Sequence, residues 1–179
     1  MSGRRQEILD AAMAIADEDG LDRVSMRTVA EQVGVTPMAL YRHFEGKTAL
    51  LDGMVERLVT SLAPERLTGS WDEQLTALAH AYRELAHRHP WSAQLLFSRP
   101  SVTPDAQRVT EFIYAALREG GVPEPEVGRM ERLVTTFVIG FAASEVLGRF
   151  AHREIDFGAE FRADLADLNV LVRTAGKPI

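Results

Sequence analysis

Cysteine is absent from the 179 residues, which excludes disulfides and thiolate metal sites and leaves the chain indifferent to its redox compartment. Long apolar runs are missing too. The longest uncharged apolar-rich stretch, 133–144, has 12 residues and is too short to span a bilayer. The first twenty residues have no long apolar centre and carry acids, including the run Asp17-Glu18-Asp19, so no signal peptide is expected and the cytoplasm is the expected location. There is no excess of positive charge either: the net charge of −6 argues against a protein that coats nucleic acid indiscriminately. Period-2 alternation of β-branched residues is nowhere sustained, which argues against strands. No phosphate loop, paired catalytic carboxylates, nucleophile–base motif or His-Glu-x-x-His spacing occurs, so no metal, no cofactor and no enzymatic activity are expected.

What is present is helical patterning throughout, with 46% hydrophobic and 26% charged residues, enough apolar material for a sizeable core. The most informative stretch is 25–47, SMRTVAEQVGVTPMALYRHFEGK. Ser25 can cap a short helix over 26–33 by accepting a bond from an unpaired N–H, and Gly34 can end it in the left-handed conformation. Thr36 and Pro37 start a second helix, since proline at the first position forfeits no helical bond. Val29, Val33, Leu40 and Phe44 form two i,i+4 pairs that can lock the two helices together. Pro37, Met38 and Arg42, with Tyr41 and His43, are left pointing outward. This is a helix-turn-helix pattern. Between residues 23 and 48 four cations face two acids, a local balance of +2 on an acidic chain.

Around this stretch the spacing predicts a helix over about 4–19 and another over 47–62, ended before Pro64. After a linker over 63–69, Ser70 and Glu73 form a capping box for a helix to about residue 89. A short helix follows over about 91–97, before a break at Arg99-Pro100. Another starts at Thr103-Pro104 and closes at Gly120-Gly121. A long one runs from Pro123 and Pro125 to about Arg153. A last one is capped by Asp156, and the tail 174–179 should fray. The expected fold is all-α, with about nine helices and two domains: 1–48 as a helix-turn-helix domain and 63–179 as the larger one, connected by the helix over 47–62.

Residues 24–50 resemble the DNA-binding signature of the tetracycline-repressor (TetR) family. The match lies in Arg27-Thr28-Val29-Ala30, Gly34-Val35-Thr36, Leu40-Tyr41-Arg42-His43-Phe44, and Lys47 followed by Leu50, with the family spacing kept. The resemblance implies a homodimeric, ligand-responsive transcriptional regulator, most often a repressor, on a palindromic double-stranded DNA operator. A two-fold dimer can place two reading heads one duplex turn apart, ~34–36 Å. By position, Arg27, Pro37, Met38 and Arg42 should face bases, and Thr36, Tyr41, His43 and Lys47 should contact phosphates. Arg27 is the candidate for bidentate reading of guanine, and Met38 and Ala39 offer apolar surface to a thymine methyl. A helical adaptor that uses the same unit to bind protein is the alternative.

The resemblance also implies a small-molecule effector site among the fifth to eighth helices. Tyr82, Trp91, Gln94, Phe97, Phe112, Phe137 and Phe141 fall there, with Thr136 and Ser144 as further polar candidates; for each, lining a cavity and packing a core are both open. His80, Arg83 and His87 share one helix face, read as solvated rather than as a metal or anion site. The stretch 133–144 is apolar nearly all round and rich in small residues. With the apolar stripe of the last helix it suggests a four-helix dimer interface including Gly140, Ala143, Leu147, Gly148, Phe161, Leu165, Leu168 and Val172, the alternative being the central helix of a monomer. Glu145 needs a partner if buried, and the sequence names none.

Overall fold

The computed structural model describes residues 3–62, 68–99, 103–149, 151 and 154–175, with only the backbone described at 104–106. Most of the expected linker, Pro64, Pro100, Arg153 and the end of the tail lie outside the described residues. Among the described residues there are nine α-helices and no strand, as the patterning implied. They are α1 (Gly3–Asp19), α2 (Met26–Val33), α3 (Pro37–Tyr41), α4 (Lys47–Leu62), α5 (Trp71–Arg88), α6 (Pro90–Ser98), α7 (Pro104–Glu119), α8 (Glu124–Val146) and α9 (Phe157–Thr174). A 3-10 turn, Leu21–Arg23, joins α1 to α2. No described helix is long and apolar enough to cross a membrane.

Local chemistry sets the boundaries. At the start of α2 the Ser25 hydroxyl accepts from the Thr28 N–H at 3.1 Å, and the Thr28 hydroxyl accepts from the Ser25 N–H at 3.0 Å. Threonine here takes the part that Glu or Gln usually plays in a capping box. Gly34, at φ 75°, closes the helix in the left-handed region, as expected. Thr36 occupies the cap of α3, but its side chain makes no capping bond, so Pro37 alone gives the start its stiffness. At the far end α8 is shorter than its apolar pattern implied. It stops at Val146, and Gly148 turns the chain at φ 69°. Gly148 therefore serves backbone geometry, the default use of glycine at a helix end.

Among the described residues, three apolar clusters make up the core. The first gathers α1, α2, α3 and α4 around Ile8, Ala12, Val24, Val29, Leu40, Phe44 and Leu50, and it also takes in Leu85, Trp91 and Leu95 from α5 and α6. The second joins α5, α7, α8 and the end of α9 through Leu75, Ile113, Leu117, Val127, Met130 and Val172. The third packs α5, α8 and α9 around Tyr82, Val138 and Phe161. The helix-turn-helix and the bundle thus share apolar contacts. Two polar bonds reinforce this, because Asp17 of α1 accepts from Trp91 Nε1 at 2.6 Å and meets His89 Nδ1 at 2.7 Å.

Candidate nucleic-acid interface and ligand cavity

Burial divides the helix-turn-helix into an inner and an outer set. Val29, Leu40 and Phe44 are essentially sealed, so α3 is fixed on α2 by the i,i+4 pairs seen in the sequence. Arg5 secures the turn after α3: its guanidinium donates to the His43 carbonyl at 2.7 Å and stacks 4.1 Å over the Phe44 ring. Gly53 lets α4 come close beneath this turn, where an added Cβ would meet the Phe44 ring at 2.9 Å. A five-residue helix has few bonds of its own, so these outside supports hold its outer face in place.

That outer face carries the residues singled out by sequence. Thr36, Pro37, Met38, Tyr41, Arg42 and Lys47 are exposed and His43 is half-buried. Met38 at 73% and Tyr41 at 51% exposure are large apolar surfaces left out of every core cluster. Arg27 is exposed on the neighbouring helix, where its Nε donates to Glu31 at 2.9 Å. All eight residues therefore lie at the surface of one tri-helical unit, beside the first turn of α4.

Beneath α4 lies a cavity of about 320 Å³, at the small end of the range for pockets that enclose a small organic molecule. Its wall comes from α4 (Val59, Leu62), α5 (Leu78, Tyr82), α6 (Leu96), α7 (Val109, Ile113) and α8 (Val134, Val138), among others. The polar groups are Arg99, Thr110, Glu131, Thr135 and the Tyr82 phenol. The Tyr82 hydroxyl is buried without a hydrogen-bond partner among the described residues, and burial raises its pKa above the usual tyrosine value. Arg99 reaches from this wall to α4, donating to Asp52 at 2.5 Å and toward the Thr48 carbonyl at 3.5 Å.

Of the seven residues expected to line a pocket, only Tyr82 does. Trp91 belongs to the first cluster, Gln94 and Phe97 face solvent, and Phe112 is half-buried against the second cluster. Phe137 and Phe141 pack on Phe161, with ring centroids 6.4 and 4.9 Å away. Thr136 is exposed and Ser144 lies off the wall; Thr135 takes the polar place instead. The rings of Phe137 and Phe141 are taken up in closing the gap against Phe161, whereas a void remains where shorter aliphatic side chains and Tyr82 fail to meet.

Three of the expected interface residues are buried within their own chain. Phe161, Leu165 and Val172 form the inner stripe of α9 and have no surface to offer a second copy. Gly140, Ala143 and Leu168 are half-buried, and Leu147 and Gly148 are exposed. The exposed large apolar residues here, among the described residues, are Leu133 on α8, Leu147 at its cap, and Val170 and Leu171 on α9. An apolar stripe marks the most buried face of a helix, and for α9 that face meets its own bundle.

The face of α5 read as solvated is largely engaged. Arg83 holds Glu145 of α8 with two bonds, Nε to Oε2 at 2.7 Å and Nη2 to Oε1 at 2.5 Å, and His87 Nε2 meets the same carboxylate at 3.1 Å. Burial works against the charge, yet these bonds keep the Glu145 carboxyl below its ordinary pKa. His80 lies edge-on to Phe161, and desolvation, with the charges of Arg83 and Arg162, lowers its pKa. No group of three potential ligands suited to a metal occurs among the described residues.

Residues 8–54 match the family model described as bacterial regulatory proteins, tetR family, and residues 63–170 match that of the tetracyclin repressor-like C-terminal domain. The HTH-type transcriptional repressor DrrR1 of Streptomyces coeruleorubidus is 35% identical over 176 residues, covering 96% of this chain. The chain spans 65% of that repressor's length. BioQ of Mycobacterium smegmatis superposes with a TM-score of 0.83 at 27% identity, covering 96% of this chain and 98% of its own. A BioQ structure holding its natural double-stranded DNA operator superposes at 0.78 with 26% identity, covering 95% and 98%.

Proposed function

The chain belongs to the tetR family of bacterial regulatory proteins, and on that premise we propose that it is a ligand-responsive transcriptional repressor acting on a palindromic operator. The observation that carries this reading is the outer face of α3. Met38, Tyr41 and the cap residue Arg42 stand in solvent, while Leu40 on the same short helix and Phe44 in the turn after it are sealed. Exposed methionine and tyrosine bring no benefit to an isolated chain, but they suit base edges and phosphates. Pro37, Met38, Arg42 and Arg27 face bases, and Thr36, Tyr41, His43 and Lys47 take phosphates. To read guanine bidentately, Arg27 turns away from Glu31 or uses the terminal nitrogens that Glu31 leaves free. The operator seen with BioQ supports the same reading here.

Residues 1–48 do the reading, α4 connects, and residues 63–179 hold the effector and the dimer contact. Two copies meet through the outward stripe of α8 and its cap, where Leu133, Gly140 and Leu147 recur every seven residues, together with Leu168 and Leu171 of α9. The effector occupies the 320 Å³ cavity. Because Val59 and Leu62 of α4 form part of its wall and Arg99 is bonded to Asp52, a molecule there bears directly on the helix beneath Phe44. Operator and effector then favour different arrangements of α4, and their affinities oppose each other by the same factor. DNA reading places the protein in the cytoplasm.

The test is selection from a random duplex pool by the purified chain, followed by fluorescence anisotropy on the enriched sequence. An inverted repeat with centres about one duplex turn apart is the expected product. Failure to enrich any duplex over the starting pool would overturn the reading.

A further inference from the structure

The cavity carries two formally charged side chains in a mainly aliphatic wall, Arg99 and Glu131, and their situations differ. Arg99 is already satisfied from outside, by Asp52 at 2.5 Å and by the Thr48 carbonyl. Glu131 has the Thr135 hydroxyl at 3.3 Å, and no cation pairs with it among the described residues. A third polar group, the Tyr82 hydroxyl, is more than nine-tenths buried and has no hydrogen-bond partner among the described residues. Among the described residues the wall thus carries one negative charge that no cation pairs and one buried oxygen that no protein group meets.

Resting on the assignment of this cavity as the effector site, we propose that its ligand is a lipophilic cation: an aromatic or aliphatic body bearing a protonated amine, with Glu131 as its counter-ion. The body replaces water against Leu78, Val109, Ile113 and Val138, and this apolar burial supplies most of the attraction. The ammonium N–H groups donate to the Glu131 carboxylate and to the Tyr82 oxygen, whose ring is also a favourable neighbour for a cation. An anionic ligand meets Glu131 as a like charge and must compete with Asp52 for Arg99. A neutral one leaves Glu131 unpaired in a partly dehydrated place, which costs affinity. The charge at residue 131 thus selects the head group, and the aliphatic wall tolerates many bodies.

The probes are 4-phenylbutylamine, 4-phenylbutanol and 4-phenylbutyrate, which share one body and differ in the charge of the head at pH 7. Calorimetric titration of the full chain should show the amine binding at least tenfold tighter than the alcohol. In Glu131→Gln, folded by circular dichroism and melting, that preference should fall to about one while the alcohol keeps its affinity. Equal binding of amine and alcohol to the unaltered chain overturns the proposal, as does a preference that survives in Glu131→Gln. Tightest binding of the butyrate makes Arg99 the reader instead and overturns it too. Binding of none of the three removes the cavity as a ligand site, which sinks the effector assignment itself. Binding without a preference for the amine sinks only the choice of a cation.

Discussion

The α2–α3 unit and the α5–α8–α9 bundle use the same apolar chemistry and treat their conspicuous side chains in opposite ways. In the unit, Met38, Tyr41 and Arg42 stand in solvent over a small sealed core. In the bundle, Phe137, Phe141 and Phe161 pack on one another, and Arg83, His87 and Glu145 satisfy each other. A short helix with few bonds can expose one whole face because its other face is pinned from several sides. A long helix in a bundle has most of its circumference covered, so an eye-catching residue there is more often packing than recognition. The difference makes the outer face of α3 separable from stability, and the polar groups of the bundle inseparable from it.

The largest effect expected is on that separability. Tyr41→Ala with Arg42→Ala should cost at least about a hundredfold in operator affinity, since a good base contact is worth about 1–3 kcal/mol, a phosphate contact adds to it, and both occur twice in the proposed dimer. The melting temperature should stay where it was. A variant that folds and keeps its operator binding, by anisotropy, would break the comparison and favour a protein-binding role for the unit.

In the bundle, Arg83→Ala should lower unfolding stability by about 3 kcal/mol, measured by denaturant titration, because it strands the largely buried Glu145. Adding Glu145→Gln should recover part of the loss. If Arg83→Ala proves neutral, the pair is solvated and the contrast between the regions weakens. Next in size is the seam between the regions. Gly53→Ala should destabilise by about 2 kcal/mol, because its Cβ would overlap the Phe44 ring. An unchanged denaturation midpoint would mean that the turn after α3 yields easily. Smaller again, Leu133→Lys should weaken the proposed dimer at least tenfold in sedimentation, with the monomer still folded.

The subtlest difference concerns pH. The Glu145 carboxyl lies below its unfolded value, so it contributes stability above that value and loses it as pH falls through the folded one. His80, also lowered, acts in the same direction, since the unfolded chain takes up that proton first on acidification. Stability should therefore decline from neutral toward acid pH, with a shallower slope in Glu145→Gln. Equal slopes for the two proteins would remove Glu145 from the explanation.

Much of the outer face was legible because its signals are local. Ser25, Gly34 and Pro37 each act on the backbone within a few residues, and Leu40 and Phe44 are spaced for one helix turn. The cavity was not legible. Tyr82 could be placed on α5 by pattern, but Leu78, Val109, Thr135 and Val138 come together only when three helices settle at particular rotations. Phe137 and Phe141 pack on Phe161 and Phe97 faces solvent, while Tyr82 shares the cavity wall with ordinary valines and leucines. The bond from Arg99 to Asp52 spans 47 residues and has no trace in either local pattern.

The order of the helices, the all-α class and the identity of the outward residues on α3 were determined by the sequence, because periodicity, caps and breakers act over one or two turns. Which stripe of α9 turns inward, where α8 ends, what answers Glu145 and where space is left for a ligand were decided by the tertiary structure. Those outcomes depend on which neighbouring helix covers a face, and that is a property of the assembled bundle rather than of any stretch within it.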